Sequence, residues 1–287
     1  MANMDFNFRE DLRAIRDLLE ISQSEMAQKI GVQQVTLSRN EKGDTKPSDR
    51  LLEQVYNYAF EHNIKLGRLK EMLWLDNMKA GHRLLFHGAK SEIEGSLSVS
   101  KSRTNNDFGQ GFYTGEKYEQ AVSFVSGFDH PSVYYLDFES GNLSCKKYEV
   151  NQEWMLTIAY YRGALDEYSI HPMIRQIVEE SRKYDYIIAP IADNRMFQII
   201  NSFIEGEITD EQCKHCLAAT NLGNQYIFVS EKSLEHLNIL ERGYISSKER
   251  EHYKALRSEE TKLGANKVKL ARIQYRGKGR YIDEILV

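Results

Sequence analysis

The chain is 287 residues long, with 41% hydrophobic and 28% charged residues and a formal net charge of −4 at pH 7. That composition gives enough apolar material for a sizeable core and excludes disordered and fibrous classes. No apolar run approaches the roughly 20 residues needed to span a bilayer. The acidic N-terminus, Met1–Arg13, lacks the apolar segment of a secretory signal. The three cysteines, Cys145, Cys213 and Cys216, are too few and too unevenly placed for a disulfide framework, so the expected compartment is reducing and cytoplasmic. Charge is unevenly spread, at about −1 over residues 1–81, about −8 over 82–240 and about +5 from Glu241 onward.

Residues 1–80 read as all helix. Apolar residues recur at helical spacing at Leu12, Ile15, Leu18 and Leu19, at Met26 and Ile30, at Leu51, Leu52, Val55 and Ala59, and at Leu69, Met72 and Leu73. Gly31, Gly43 and Pro47 punctuate the segment. Within it, Leu12–Gly43 has the layout of a helix-turn-helix. Ser22 is placed to cap the second helix, and Met26, Ala27 and Ile30 supply its inner face. Gly31 turns the chain, because it takes a positive φ without steric cost. In the following helix Val35 and Leu37 are expected as apolar anchors. Gln33, Gln34, Thr36, Ser38 and Arg39, with Gln23 before them, are side chains of the kind that read base edges and phosphates.

The run SQSEMAQKIGVQQVTLSRNEKGDTKPS resembles the phage-repressor class of helix-turn-helix domains. Asn40 departs from it, standing where that class has an apolar residue. The resemblance implies double-stranded DNA as a partner, read as two half-sites by a homodimer. A small helical bundle used only for docking remains the alternative, since the segment has no net basic charge and phosphate contacts dominate DNA affinity.

Around His82 the pattern changes to short strands alternating with helices. His82–His87 reads as a strand, Glu116–Val125 as a helix and Val133–Phe138 as a strand. Pro172 sits at a helix start, Met173–Lys183 follows with helical spacing, and Tyr186–Ala192 is a short buried strand. Met196–Glu205 is helical and stops at Gly206, Thr209 with Gln212 fits a capping box, and Tyr226–Ser230 is a last strand. Residues 241–287 read as a helical, mostly polar tail. Its basic run Lys267–Arg280, with Tyr275 and Tyr281 interleaved, suits either nucleic acid or packing on the acidic part of the chain.

Two stretches carry chemistry. One is Phe86-His87-Gly88-Ala89. The other is Asp107-Phe108-Gly109-Gln110-Gly111-Phe112-Tyr113-Thr114-Gly115, where glycines let a main chain approach a flat ligand and an aromatic ring can stack on it. Their order and spacing resemble the histidine–tyrosine branch of the ADP-ribosyltransferase fold, over about residues 83–240. The resemblance implies an α+β split-sheet domain that uses NAD as substrate. It assigns His87 and Gly88 to the ribose and nicotinamide amide, and Tyr113 to stacking on the nicotinamide. Asp107, Phe108, Gly109, Gly111 and Phe112 would form the surrounding loop. Arg103 is the residue for the pyrophosphate, since arginine suits bidentate phosphate contacts. The third catalytic position departs from the pattern, with Gln225 where active transferases carry a glutamate. A glutamine hydrogen-bonds but cannot act as a general base. The transition state is oxocarbenium-like and responds to positioning and electrostatics, so catalysis stays open, with Asp193 as a further acid. Restoring glutamate at 225 is expected to be tolerated.

Other features point to packing. Cys213 and Cys216 have CxxC spacing but no second pair of metal ligands nearby, and core packing is expected, with no metal. Trp154, Met155, Ile158 and Tyr161 form an apolar helical face. Arg162 follows them, with no spacing that assigns it a role. The reading is thus of three parts: an all-α helix-turn-helix domain at 1–80, an α+β ADP-ribosyltransferase-like domain at 81–240 and a helical basic tail at 241–287. The resemblance implies ADP-ribosyl transfer to a protein or nucleic-acid acceptor, in a toxin, defence or regulatory role. The alternative is a transcription regulator whose second domain only binds NAD or ADP-ribose.

Overall fold

The computed structural model describes residues 5–219 and 222–287, so the first four residues of the acidic N-terminal segment lie outside it. In chain order the elements are α1 (Phe8–Leu19), α2 (Gln23–Ile30), α3 (Gln34–Lys42), α4 (Asp49–Glu61), α5 (Leu66–Asp76), β1 (His82–Ala89), β2 (Phe112–Gly115), α6 (Tyr118–Val125), β3 (Ser132–Glu139), β4 (Cys145–Lys147), α7 (Gln152–Tyr161), α8 (Pro172–Ser181), β5 (Tyr186–Pro190), α9 (Asn194–Ile204), α10 (Asp210–Ala218), β6 (Asn224–Phe228), α11 (Glu231–Leu234), β7 (Leu237–Tyr244), α12 (Ser247–Gln274) and α13 (Ile282–Ile285). A helical N-terminal region is followed by an α/β region with strands of mixed direction. No described helix is long and apolar enough to cross a membrane. The chain divides into two compact units that alternate along the sequence. The first holds Met1–Ser96, Lys117–Glu139 and Asn238–Arg257, and the second holds Leu97–Glu116, Ser140–Leu237 and Ser258–Val287.

In the first unit the helix-turn-helix forms for the reasons its sequence gives. Ser22 and Glu25 make a reciprocal capping box at the start of α2, and Gly31 ends that helix at φ +71°. Leu12, Ile15, Met26, Ala27, Leu37, Leu52 and Val55 close a core between α1 and α4. Leu37 belongs to it, but Val35 does not: it is 47% exposed, because it falls on the outward face of α3 with Arg39, one turn on. Asn40 is buried. Its Nδ2 donates to Thr36 O at 2.9 Å, while its Oδ1 has no partner.

That helical core does not stop at α5. Tyr244, the last residue of β7, packs against it, with its ring 4.9 Å from Tyr56, and donates its hydroxyl to Glu53 at 2.7 Å. Lys70 of α5 pairs with Asp11 and with Glu241 of β7, and Trp74 Nε1 donates to the same Glu241 at 3.2 Å. β7 is one of three described strands that the sequence did not reveal, with the short β2 and β4, because Leu237–Tyr244 carries two charges at its centre. The two charges at its centre are paired: Glu241 with Lys70, and Arg242 with Glu92 at 2.8 Å. Within this unit the strand order is β1-β3-β7, and β1 runs antiparallel to β3 with His87 opposite Tyr134. Helix α6 lies against β1 through Val122 and Val125. A side chain at Gly88 would meet Ala121 O at 2.6 Å, so the glycine there is required by helix packing.

The second unit holds strands in the order β4-β5-β6-β2. β4 is parallel to β5, and β6 is antiparallel to both of its neighbours. Its core gathers Trp154, Met155 and Ile158 of α7, Ile200 and Phe203 of α9, and Ile227 of β6. Pro172 is in the first turn of α8 and Thr209 caps α10, accepting from Gln212 N. Cys213 and Cys216 are both fully buried and their thiols donate to Ile199 O and Val268 O, as core packing requires. The expected tail 241–287 is divided between the units: it belongs to the first up to Arg257, and from Ser258 it packs into the second through Ala271, Ile282 and Ile285.

One buried acid of the first unit has a measurable consequence. Glu249, in the first turn of α12, accepts from Tyr118 Oη at 3.0 Å. Burial pushes its carboxyl up to about 7, against the lowering effects of the Tyr118 hydrogen bond and the Lys65 charge. A carboxyl whose folded value is raised stabilises the fold fully below its unfolded value of about 4.3 and loses that contribution as pH rises through its folded value. Melting temperature is therefore expected to fall between pH 5 and pH 8. Glu249→Gln, which keeps an acceptor for Tyr118, should raise the melting temperature at pH 8 and flatten the slope. Equal pH 5 to pH 8 differences in the two proteins would overturn this assignment.

Candidate functional site

The strands of the second unit bring two of the sequence candidates together. In the antiparallel pair of β2 and β6, Tyr113 stands opposite Ile227 and Gly115 opposite Gln225. Side chains alternate along a strand, so Gln225 shares a face with Ile227, and Ile227 shares it with Tyr113. Tyr113 and Gln225 are thus diagonal neighbours on one face, about 7–8 Å apart by strand geometry.

The loop before β2 folds back onto these strands. Gly109 has φ +73°, and a side chain on it would sit 2.8 Å from the Tyr161 ring. One on Gly111 would sit 2.8 Å from Ile227 and 3.0 Å from Phe228 O. Both glycines let the loop lie close on α7 and β6. Tyr113 fastens the same loop from the strand: its hydroxyl donates to Gly109 O at 2.8 Å and accepts from Phe108 N at 3.1 Å. Burial pushes that hydroxyl well above its ordinary titration range. The ring itself is half-buried. Phe108 and Phe112 are buried, and Phe108 packs 5.1 Å from Tyr148. Arg103 is exposed at the start of the loop.

Asp107 is the centre of this arrangement, 6% exposed and bonded through both oxygens. Oδ1 receives Arg162 Nε at 2.8 Å and Arg162 Nη2, and Oδ2 receives Gln225 Nε2 at 3.0 Å. Arg162 is held in turn: Nη2 donates to Ala192 O at 2.7 Å, and the guanidinium lies 4.8 Å from the centre of the Phe197 ring. Gln225 Nε2 also lies 3.4 Å from Pro190 O. The sequence placed Arg162 where it could reach a ligand, without a spacing that assigned it. Its only sign there is its place at the end of an apolar helix, just before Gly163 at φ +78°. Asp193 is an N-cap: Oδ1 accepts from Arg195 N and Met196 N, and Oδ2 accepts from Arg195 Nε. Those contacts give it a helix-capping role. His87 and Gly88 lie on β1 of the first unit.

The DNA-reading candidates are arranged around α3. Gln34 Nε2 donates to Gln23 Oε1 at 2.8 Å, Gln23 donates to Glu41, and Arg16 Nε donates to Glu41 at 2.6 Å. This chain ties the first turn of α2 to the first turn of α3. Gln33, the N-cap of α3, and Arg39 are exposed, while Thr36 and Ser38 are half-buried.

The fold is that of a helix-turn-helix protein with an added α/β domain of mixed strands, and the helix-turn-helix supports DNA binding. Residues 12–55 match the family described as helix-turn-helix. Residues 84–239, more than half of the chain, match the family described as protein of unknown function (DUF3990), and the chain belongs to that family. No curated protein and no solved structure matches it.

The Asp107–Arg162 pair makes a direct stability test. Removing one partner of a buried ion pair leaves an uncompensated charge and costs about 3–5 kcal/mol. Arg162→Ala should lose that order of stability in urea unfolding. Arg162→Lys should recover only part of it, since an ammonium cannot reproduce the two-nitrogen contact. A variant as stable as the parent at pH 8 would show that the pair carries no weight.

Proposed function

We propose that this chain is a DNA-binding protein whose DUF3990 domain performs NAD-dependent ADP-ribosyl transfer. The observation that carries the proposal is the placing of Tyr113 and Gln225 on one face of adjacent strands, under a loop held by Asp107 and Arg162. Those are the residues that the resemblance pairs as the nicotinamide-stacking and ribose-holding side chains. The residue set suits such a dinucleotide. An aromatic face serves a flat ring, an amide serves a hydroxyl, and Arg103 is exposed at the loop for phosphate. His87 and Gly88 enter the reading from the sequence resemblance.

Transfer breaks the nicotinamide–ribose bond, releases nicotinamide and joins ADP-ribose to a nucleophile of protein or nucleic acid, whose proton passes to solvent. In this scheme Tyr113 orients the ring by stacking. Gln225 accepts a hydrogen bond and holds the sugar while positive charge develops there, which needs no general base. The same amide also favours a second reading, in which the domain binds NAD or ADP-ribose without turnover and regulates DNA binding.

Incubation of the full chain with NAD labelled in the ADP-ribose moiety, followed by separation of nicotinamide, labelled protein and labelled nucleic acid, distinguishes the two. Label transfer or nicotinamide release supports the enzyme, and binding without turnover supports the sensor. Tyr113→Ala and His87→Ala should each weaken binding or turnover. Gln225→Ala should lower turnover more than binding. If all three process NAD like the parent, the site lies elsewhere.

DNA binding is tested on the same chain, first by selecting preferred genomic fragments at moderate salt. Arg39→Ala should then weaken the selected duplex by about 1–3 kcal/mol if it removes a base contact, measured by fluorescence anisotropy. Two copies are expected on a two-fold site. No preference among fragments would refute the assignment.

A further inference from the structure

We infer that Asp107 is a positioning residue: it makes glutamine, not glutamate, the side chain this site requires at 225, and it fixes the amide oxygen as the end offered to a ligand. The identity of that ligand, a ribose hydroxyl, rests on the reading above. The pairing itself does not.

The amide nitrogen of Gln225 faces two groups that can only accept, Asp107 Oδ2 at 3.0 Å and Pro190 O at 3.4 Å. An amide can turn either end toward its surroundings, and here the chemistry of the partners decides the orientation. Nε2 is committed to the protein, so Oε1 is the end able to accept from a ligand. The site is thereby selective for hydroxyl and N–H donors.

A glutamate at 225 reverses this. It has no hydrogen to give, and it would set one carboxylate against another and against a carbonyl in a buried setting. Two carboxylates at that distance cannot both stay ionised. Arg162 supplies one positive charge, and Asp107 already engages it through Nε and Nη2. The expectation from sequence alone, that glutamate restored at 225 is tolerated, therefore reverses. The acidic group of this site is Asp107, on the loop before β2, and the strand carries its complement.

The pair also allows an exchange. With Asp107→Asn and Gln225→Glu together, donor and acceptor change places, and Arg162 still has a carboxylate within the cluster. Thermal melting of the full chain tests this with four proteins: the parent, each single variant and the double variant. Each single variant should melt below the parent. The deficit of Gln225→Glu should grow from pH 5 to pH 8, as the shared proton is lost. The double variant should recover more than half of the summed loss. Losses that simply add, or a Gln225→Glu protein that melts like the parent at pH 8, would overturn the inference.

Turnover of labelled NAD gives a second readout. Gln225→Glu should reduce kcat at least tenfold with little change in KM, and adding Asp107→Asn should recover at least threefold of it. A Gln225→Glu enzyme faster than the parent would overturn the inference. A parent that binds no NAD would refute the dinucleotide reading, while the melting cycle would still decide the pairing.

Discussion

A carboxylate taken out of water must be compensated where it lies, and in the second unit this requirement organises the region around Asp107. Its side chain is buried between a loop, the end of a helix and the strand β6. Each of these supplies or supports a donor. Arg162 is delivered by the last turn of α7 and steadied by Ala192 O and Phe197. Gln225 is delivered by β6. The loop that carries Asp107 reaches them only because Gly109 and Gly111 have no side chains to keep it off Tyr161 and Ile227. The glycines, the arginine and the glutamine are therefore parts of one arrangement, although more than 110 residues separate the first from the last.

The first unit shows a comparable dependence with different chemistry. The helix-turn-helix has its own caps and turn, but its core and its charges are completed by a later segment. Tyr244 packs on Tyr56 and bonds Glu53, Glu241 meets Lys70 and Trp74, and Ser247 N donates to Glu53 at 2.8 Å. The contacting residues Glu241, Tyr244 and Ser247 lie beyond residue 239, where the family match ends, so residues outside the matched region secure the helix-turn-helix. A change that shifts β7 would act on those helices through a buried Lys–Glu contact and not through a flexible linker. Buried charged contacts of this kind are costly to leave half-made, which favours moving as a unit.

Much of this was legible in the sequence where local rules suffice. The Ser22 cap, the Gly31 turn, the first-turn Pro172 and the Thr209 cap each depend on a few adjacent residues, and each stands where the sequence places it. The pairing of Tyr113 with Gln225 came through the resemblance, not through periodicity. What the sequence could not show depends on partners distant along the chain. β7 looked like part of a polar helical tail because the partners of Glu241 and Arg242 lie at residues 70 and 92. Arg162 had no assignable role because its carboxylate is 55 residues away. Val35 was expected inside on the strength of its side chain, yet the face of α3 on which it falls is the exposed one. Asp193 looked like a catalytic acid in a list of residues and is a helix cap in three dimensions.

The polar groups of the site share a further property, which bears on how it can act. The hydroxyl of Tyr113 is held by two backbone groups of its own loop, Asp107 by three donors and the amide nitrogen of Gln225 by two acceptors. Few of these groups need to reorient when a ligand arrives. A site whose dipoles are already fixed pays little to reorganise as charge develops, and electrostatic stabilisation of this kind is commonly the largest part of catalysis. On the proposed reading it also narrows what the cluster can offer to an acceptor oxygen from Gln225, with Asp107 already engaged by Arg162 and by the amide nitrogen of Gln225. On that reading a general base is not the contribution to expect from this cluster. If the domain transfers ADP-ribose as proposed, the contribution of this cluster is orientation, and an acceptor nucleophile has to arrive ready to react or lose its proton to solvent.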